Sequence, residues 1–279
     1  MTTVPQLTLN NGVTIPQLGY GVFQVPPDEA QRAVEAALEA GYRHIDTAAA
    51  YYNEEGVGAG VRASGIPRDE IFVTTKLRNG DQGYDSALAA FAETNNRLGI
   101  DYVDLYLIHW PSPARDSYVP SWKALESLYS DGAVRAIGVS NFLEPHLERL
   151  LAETDVVPAV NQIELHPAFQ QAGLASHSRA KGIEVEAYSP IGQGASLTSD
   201  TVTGLAEKYG VTPAQVVLRW HLQNGNIVIP KTVTPERMRE NIGAAGFELA
   251  DDDIAAIDGL EAGGRIGADP ATAEFSQMR

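Results

Sequence analysis

The chain has 279 residues, no cysteine and a formal charge of −16. Absence of cysteine excludes disulfides, thiolate metal sites and cysteine nucleophiles, and the acidic surface disfavours nucleic acid or an anionic membrane as a partner. With 44% hydrophobic and 20% charged residues the chain can bury a large core, and no apolar run nears the roughly 18 to 20 residues that span a bilayer.

The first ten residues are polar and lack the basic-then-apolar order of a secretion signal, so a cytoplasmic location is expected. Asn11-Gly12 between two short β-prone runs predicts a hairpin. Eight short apolar strands then follow, at 18–22, 42–46, 71–76, 103–109, 133–140, 159–163, 183–188 and 227–230. Helical patterns separate them at 28–40, 53–64, 84–98, 119–130, 143–152, 170–180 and 201–223, the last long enough for two helices. Asp28 and Thr212 suit N-caps and Pro213 a first helical position. Gly41, Gly65, Gly99, Gly132 and Gly182 fall where left-handed C-caps are expected. A last acidic helix at 251–259 precedes a turn-rich tail, 263–279.

Eight apolar strands alternating with helices predict a parallel sheet covered by helices. An open, doubly wound sheet would carry a glycine-rich dinucleotide turn after its first strand. The nearest candidate, Gly56, Gly58 and Gly60, follows no strand directly and fails the spacing; it predicts a small-residue helix face. The expected fold is therefore α/β, a (β/α)8 TIM barrel with an N-terminal β-hairpin and a C-terminal substrate loop, in one domain spanning 1–279.

A barrel places its active site at the C-terminal ends of its strands. Here those ends carry Asp46, Lys76, His109, Ser140 with Asn141, Gln162 with Glu164, Tyr188 with Ser189, and Lys231. Taken singly, each has a plain structural reading as a cap, a solvated end or a satisfied core residue. Together, adjacent strands two, three and four bring a carboxylate, an amine and an imidazole within reach, and Tyr51 follows Asp46 in the same loop.

Reduction of a carbonyl by hydride requires a proton for the oxygen. A tyrosine can supply it, and a neighbouring cation favours its phenolate. Lys76 is the candidate cation, Asp46 the carboxylate that keeps a buried lysine charged, and His109 a donor that orients the carbonyl oxygen. A Schiff-base aldolase or lyase using Lys76 is the alternative chemistry, although a close Asp46 would hold that amine protonated. No metal site is expected: the six histidines are scattered and none pairs at ligand spacing with an acidic third.

The segment 41–54, GYRHIDTAAAYYNE, resembles the aldo-keto reductase superfamily. So do LIHWP at 107–111, GVSNF at 138–142, NQIELHP at 161–167 and IPKTVTPERMREN at 229–241, in the family's order along nearly the whole chain. GVF at 21–23, NEEGVG at 53–58 and PHLER at 145–149 are similar to bacterial 2,5-diketo-gluconate reductases.

The resemblance implies a barrel that binds NADP(H) across its mouth without a dinucleotide fingerprint and reduces aldehydes or ketones. It makes Tyr51 the proton donor, Lys76 and Asp46 its tuning pair and His109 the substrate-orienting residue. Ser140, Asn141 and Gln162 would hold the nicotinamide carboxamide, and Tyr188 would stack on the ring. Ser189, Pro190, Ile191, Gly192, Gln193 and Gly194 would follow the pyrophosphate. Lys231, Thr232 and Arg237 would hold the 2′-phosphate, flanked by Val233 and Thr234, with Glu240 and Asn241 near the adenine. Substrate walls would come from Val22, Phe23, Tyr52, His109, Trp110 and the tail after Gly263. The implied substrate is a small carbonyl, such as a diketo sugar acid or an α-dicarbonyl, and the implied state a monomer. Relatives with this fold that sense cofactor as channel subunits supply a non-catalytic alternative.

Overall fold

A computed structural model describes residues 3–273; the last six positions of the expected tail lie outside this range. The chain opens with an antiparallel hairpin, β1 (Gln6–Thr8) and β2 (Thr14–Pro16), paired with Leu7 opposite Ile15 across the Asn11-Gly12 turn. Eight parallel strands follow in sequence order: β3 (Tyr20–Gly21), β4 (His44–Asp46), β5 (Phe72–Leu77), β6 (Val103–Ile108), β7 (Val134–Ser140), β8 (Val160–Glu164), β9 (Glu184–Tyr188) and β10 (Ile227–Val228). The seam between first and last closes through backbone bonds. Gly19 N donates to Val228 O at 2.8 Å, Val228 N to Gln17 O at 2.8 Å and Gly21 N to Pro230 O at 3.2 Å. The expected barrel is thus formed.

Helices α1 (Pro27–Ala40), α2 (Glu54–Ala63), α3 (Tyr84–Leu98), α4 (Tyr118–Ser130), α5 (Glu144–Glu153) and α6 (Ala172–Ala180) follow successive strands. The long pattern at 201–223 divides into α7 (Asp200–Tyr209) and α8 (Pro213–Gln223). Thr212 caps α8 as its residue type predicts: its Oγ1 accepts from Gln215 N, while Gln215 Oε1 accepts from Thr212 N. Asp28 does not cap α1, because Pro27 opens that helix and Pro26 takes the cap; Asp28 lies in the first turn, where it complements the helix dipole. After β10 come α9 (Pro235–Ile242) and α10 (Asp251–Asp258).

The three closely spaced glycines lie on α2, not on a phosphate loop. A Cβ at Gly58 would meet Leu98 O at 1.7 Å, and one at Gly56 or Gly60 would press on α1 at Ala30 or Val34. They let three helices pack at short range.

Strand alternation sets the depth of each inward side chain. Along β5 the inward residues are Phe72, Thr74 and Lys76, so the apolar one sits low and the lysine at the mouth. Below, Leu9 and Ile15 of the hairpin pack with Phe72, Leu105, Leu107 and Ile227 and plug the barrel floor. The larger apolar cluster lies between the strands and the helical ring. The polar barrel mouth therefore rests on an apolar base.

Candidate active site

Tyr51 stands at the end of a short turn, Ala49–Tyr51, that follows β4. Buried Asn53 fixes this loop. Its Oδ1 accepts from Thr47 Oγ1 at 2.8 Å, and its Nδ2 donates to Val22 O at 3.0 Å and Val25 O at 3.1 Å. Asn53 precedes α2 but makes no side-chain cap to it.

Lys76 is fully buried and donates to Asp46 Oδ1 at 2.7 Å, Asp46 Oδ2 at 2.8 Å and Thr47 O at 2.8 Å. Its Nζ lies 5.2 Å from the centre of the Tyr51 ring. The ring of His109 stands edge-on to Tyr51 with centroids 5.7 Å apart, and Phe23 flanks Tyr51 at 5.1 Å. The four residues expected to act together are in one cluster.

Burial works against the Lys76 charge, but the acidic groups around it, Asp46 foremost, together outweigh burial and hold the ammonium pKa above its ordinary value. Burial lowers the His109 pKa to about 3, and the nearby Lys76 charge adds to this. His109 is therefore a neutral imidazole near neutral pH. For Tyr51, a neighbouring Lys76 cation on its own would lower the phenol pKa. In the structure burial is the larger effect, and Lys76 offsets only part of it, leaving the phenol above its ordinary value. Tyr51 is thus a fully protonated phenol with a cation beside it.

Ser140, Asn141 and Gln162 converge next to this cluster, bonded largely to one another. Ser140 Oγ donates to Gln162 O at 2.9 Å. Asn141, in a left-handed backbone conformation, donates through Nδ2 to His109 O and Ser140 Oγ and accepts from the Tyr188 hydroxyl at 2.8 Å. Gln162 Nε2 donates to Asp46 Oδ2 at 2.9 Å and to Glu186 Oε2 at 3.0 Å. Only the carbonyl end of the Gln162 amide is left to face a ligand.

From Tyr188 the chain enters a loop in which Ser189, Gly192, Gln193 and Gly194 all have positive φ. A side chain at Gly192 would meet Ser196 Oγ at 3.0 Å and His166 Nδ1 at 3.4 Å, two buried polar atoms with no hydrogen-bond partner among the described residues. The loop borders a cleft of about 300 Å³ lined by Ile191, Leu197, Lys231, Thr232, Arg237, Glu240 and Asn241, among others. Tyr20 holds the segment by donating to Thr232 O at 2.6 Å. Among the described residues no carboxylate pairs with Lys231 or Arg237, whereas Arg239 pairs with Glu236. In so acidic a chain, two cations left unpaired in a cleft fit a phosphate. Val233 is exposed and borders a different depression, with Arg32 and Ala33.

Of the expected substrate walls, Phe23 and Tyr52 are more than half exposed at the mouth, and His109 and Trp110 are partly exposed. Val22 has no exposed surface and belongs to the core behind Phe23. The tail enters through Glu164, whose position sequence reasoning noted without a role. Its Oε1 accepts from Ile266 N at 2.6 Å and His166 Nε2 at 3.1 Å, and its Oε2 from Gly267 N at 2.7 Å. This carboxylate ties the tail to the end of β8. Among the described residues no cluster of histidine and acidic groups forms a metal site, and no helix is long and apolar enough to cross a membrane.

Residues 16–262 match the Aldo/keto reductase family. An aldo-keto reductase of Mycolicibacterium smegmatis is 54% identical over 98% of this chain and 99% of its own. The glyoxal reductase of Bacillus subtilis is 49% identical over 94% and 95%. A crystal structure of a Gox0644 mutant in complex with NADPH superposes with a TM-score of 0.94 at 50% identity, covering 98% of this chain and 100% of that one.

Proposed function

The chain belongs to the aldo/keto reductase family, and from that premise we propose that it reduces a small aldehyde or ketone to the alcohol, with Tyr51 delivering the proton. It is an NADP-dependent oxidoreductase: named reductases align along nearly its whole length, and a relative half identical to it is solved with NADPH bound. When bound, NADPH supplies the hydride.

The observation that carries the proton assignment is the environment of the two candidate acids. His109, with its pKa lowered to about 3, has no proton to give near neutral pH but can donate a hydrogen bond to the substrate oxygen. Tyr51 keeps its proton until the oxygen becomes basic. As the proton leaves, Lys76, 5.2 Å from the ring centre, stabilises the phenolate. Asp46 and Thr47 O hold that ammonium in place.

Ser140, Asn141 and Gln162 offer their remaining lone pairs to the carboxamide, with Tyr188 against the ring. The 189–194 loop follows the pyrophosphate. Lys231, Thr232 and Arg237 take the 2′-phosphate, with Glu240 and Asn241 beside the adenine. Phe23, Tyr52, His109 and Trp110 shape a pocket for a compact carbonyl compound. The name of the glyoxal reductase relative favours a small α-dicarbonyl, and a diketo sugar acid is the second class to test. We take the working form to be a cytoplasmic monomer.

The Schiff-base alternative fits poorly, because all three bonds of the Lys76 ammonium are engaged and no lone pair is available to attack a carbonyl. A purely cofactor-sensing role leaves the buried Asp46–Lys76 pair beside Tyr51 without a use. The test is consumption of NADPH with a panel of glyoxal, methylglyoxal, simple aldehydes and keto sugar acids. Turnover with a subset is expected; silence across the panel would favour sensing.

A further inference from the structure

Glu186 is a buried acidic group of the barrel interior that the mechanism above does not use. It sits on β9 facing inward, fully buried, opposite Gln162 of β8. Gln162 Nε2 bridges it to Asp46, donating to Glu186 Oε2 at 3.0 Å and Asp46 Oδ2 at 2.9 Å. The other oxygen, Glu186 Oε1, receives no hydrogen bond within the described structure. It lies 3.6 Å from His44 Nε2.

The tautomer of His44 decides what that oxygen is. His44 Nδ1 lies 3.3 Å from Pro16 O, an atom that can only accept, so Nδ1 carries the ring proton. Burial lowers the His44 pKa to about 3, so Nε2 is an unprotonated acceptor, already facing the Thr74 hydroxyl at 3.1 Å. A carboxylate oxygen at Glu186 Oε1 would be an unsolvated charge turned towards a lone pair. A proton on Oε1 removes the conflict and leaves Oε2 as the carbonyl that accepts from Gln162.

Resting on the proposed reductase mechanism, we infer that Glu186 is a positioning residue of the proton-donor assembly. As a neutral carboxylic acid it fixes the Gln162 amide against Asp46, and its ionisation makes Tyr51 a weaker acid. The groups facing it are His44 and Asp46 from β4, Lys76 from β5 and Tyr51 from the following turn. Strand β8 adds only the uncharged Gln162, and β10, Ile227–Val228, adds no titratable group. Burial and the Asp46 charge raise the Glu186 pKa to about 8. Below that pH the assembly holds one cation and one anion. Above it, the proton lost to solvent leaves a second negative charge one amide away from Asp46, and that charge disfavours the Tyr51 phenolate.

The test compares wild type with Glu186→Gln, which copies the neutral acid in shape and can still accept from Gln162. In wild type the single-turnover rate of hydride transfer with NADPH and methylglyoxal should fall about threefold or more as pH rises through about 8. In E186Q that fall should be absent. An identical pH profile in the two proteins would overturn the inference, whereas loss of all turnover in wild type would overturn the reductase reading instead. Should E186Q fail to fold, carbon-13 NMR of the glutamate carboxyl groups in wild type decides without a variant or activity. One glutamate titrating near pH 8 supports the assignment, and ordinary acidic titration of every glutamate contradicts it.

Discussion

Lys76 Nζ reaches both carboxylate oxygens of Asp46, at 2.7 and 2.8 Å, and both residues are buried beneath the mouth of the barrel. The pair turns an otherwise costly buried amine into a fixed positive charge beside Tyr51.

Breaking the pair should cost both stability and rate. Lys76→Met or Asp46→Asn alone leaves one buried group without its partner, a loss of about 3–5 kcal/mol. The double variant removes both, so its loss of stability should be clearly smaller than the sum of the singles. Its hydride-transfer rate should stay about a hundredfold or more below wild type. Urea unfolding and single-turnover kinetics check the two halves separately. Additive stability losses would show that the two residues do not act as a pair.

Arg237 lines the cleft with Lys231 and has no carboxylate partner among the described residues. Arg237→Ala should weaken NADPH binding about tenfold or more and leave NADH within about twofold. Fluorescence titration of both cofactors measures this. An equal loss for both would remove Arg237 from the 2′-phosphate site.

His109 should act without titrating in the physiological range. His109→Gln should lower the rate, while the pH profile between about pH 5 and 8 keeps its wild-type form. Disappearance of a wild-type inflection in that window would mean that an imidazolium takes part.

Buried histidines also set the acid stability. Burial lowers the pKa of His44, His109 and His221 from 6.5 to about 3 in the folded chain. Between those values the unfolded chain binds protons that the folded chain refuses, so the histidine contribution is fully present above about pH 6.5 and falls as pH drops towards 3. Glu186, raised from 4.5 to about 8, acts in the opposite sense, its contribution lost as pH rises between those values. The ceiling is about 1.4 kcal/mol per histidine per pH unit. On going from pH 7.5 to 5, wild type should lose more stability in urea unfolding than His221→Gln does, and an equal change in the two proteins would contradict a buried neutral imidazole at His221.

The strand count and the residues at the strand ends were legible because each strand is a short apolar run with its chemistry at the last inward position. Asp46, Lys76 and His109 follow directly from that rule. Tyr51 lies in a loop, and its selection over Tyr52 rests on the family-like segment. In the structure Tyr51 stands beside Lys76 and Tyr52 is largely exposed. The roles of Asn53, Glu164 and Glu186 were hidden, because each depends on partners far along the chain: Val22 and Val25, the 266–267 backbone, and Asp46 through Gln162. The pKa direction of Tyr51 was not legible either, since it turns on how far burial outweighs one cation.

The most direct test of the central claim is Tyr51→Phe, measured in single turnover with NADPH and methylglyoxal alongside NADPH binding. Hydride transfer should fall by about a hundredfold to ten-thousandfold, with NADPH affinity within about twofold of wild type. A wild-type rate in Y51F would show that the proton comes from another group.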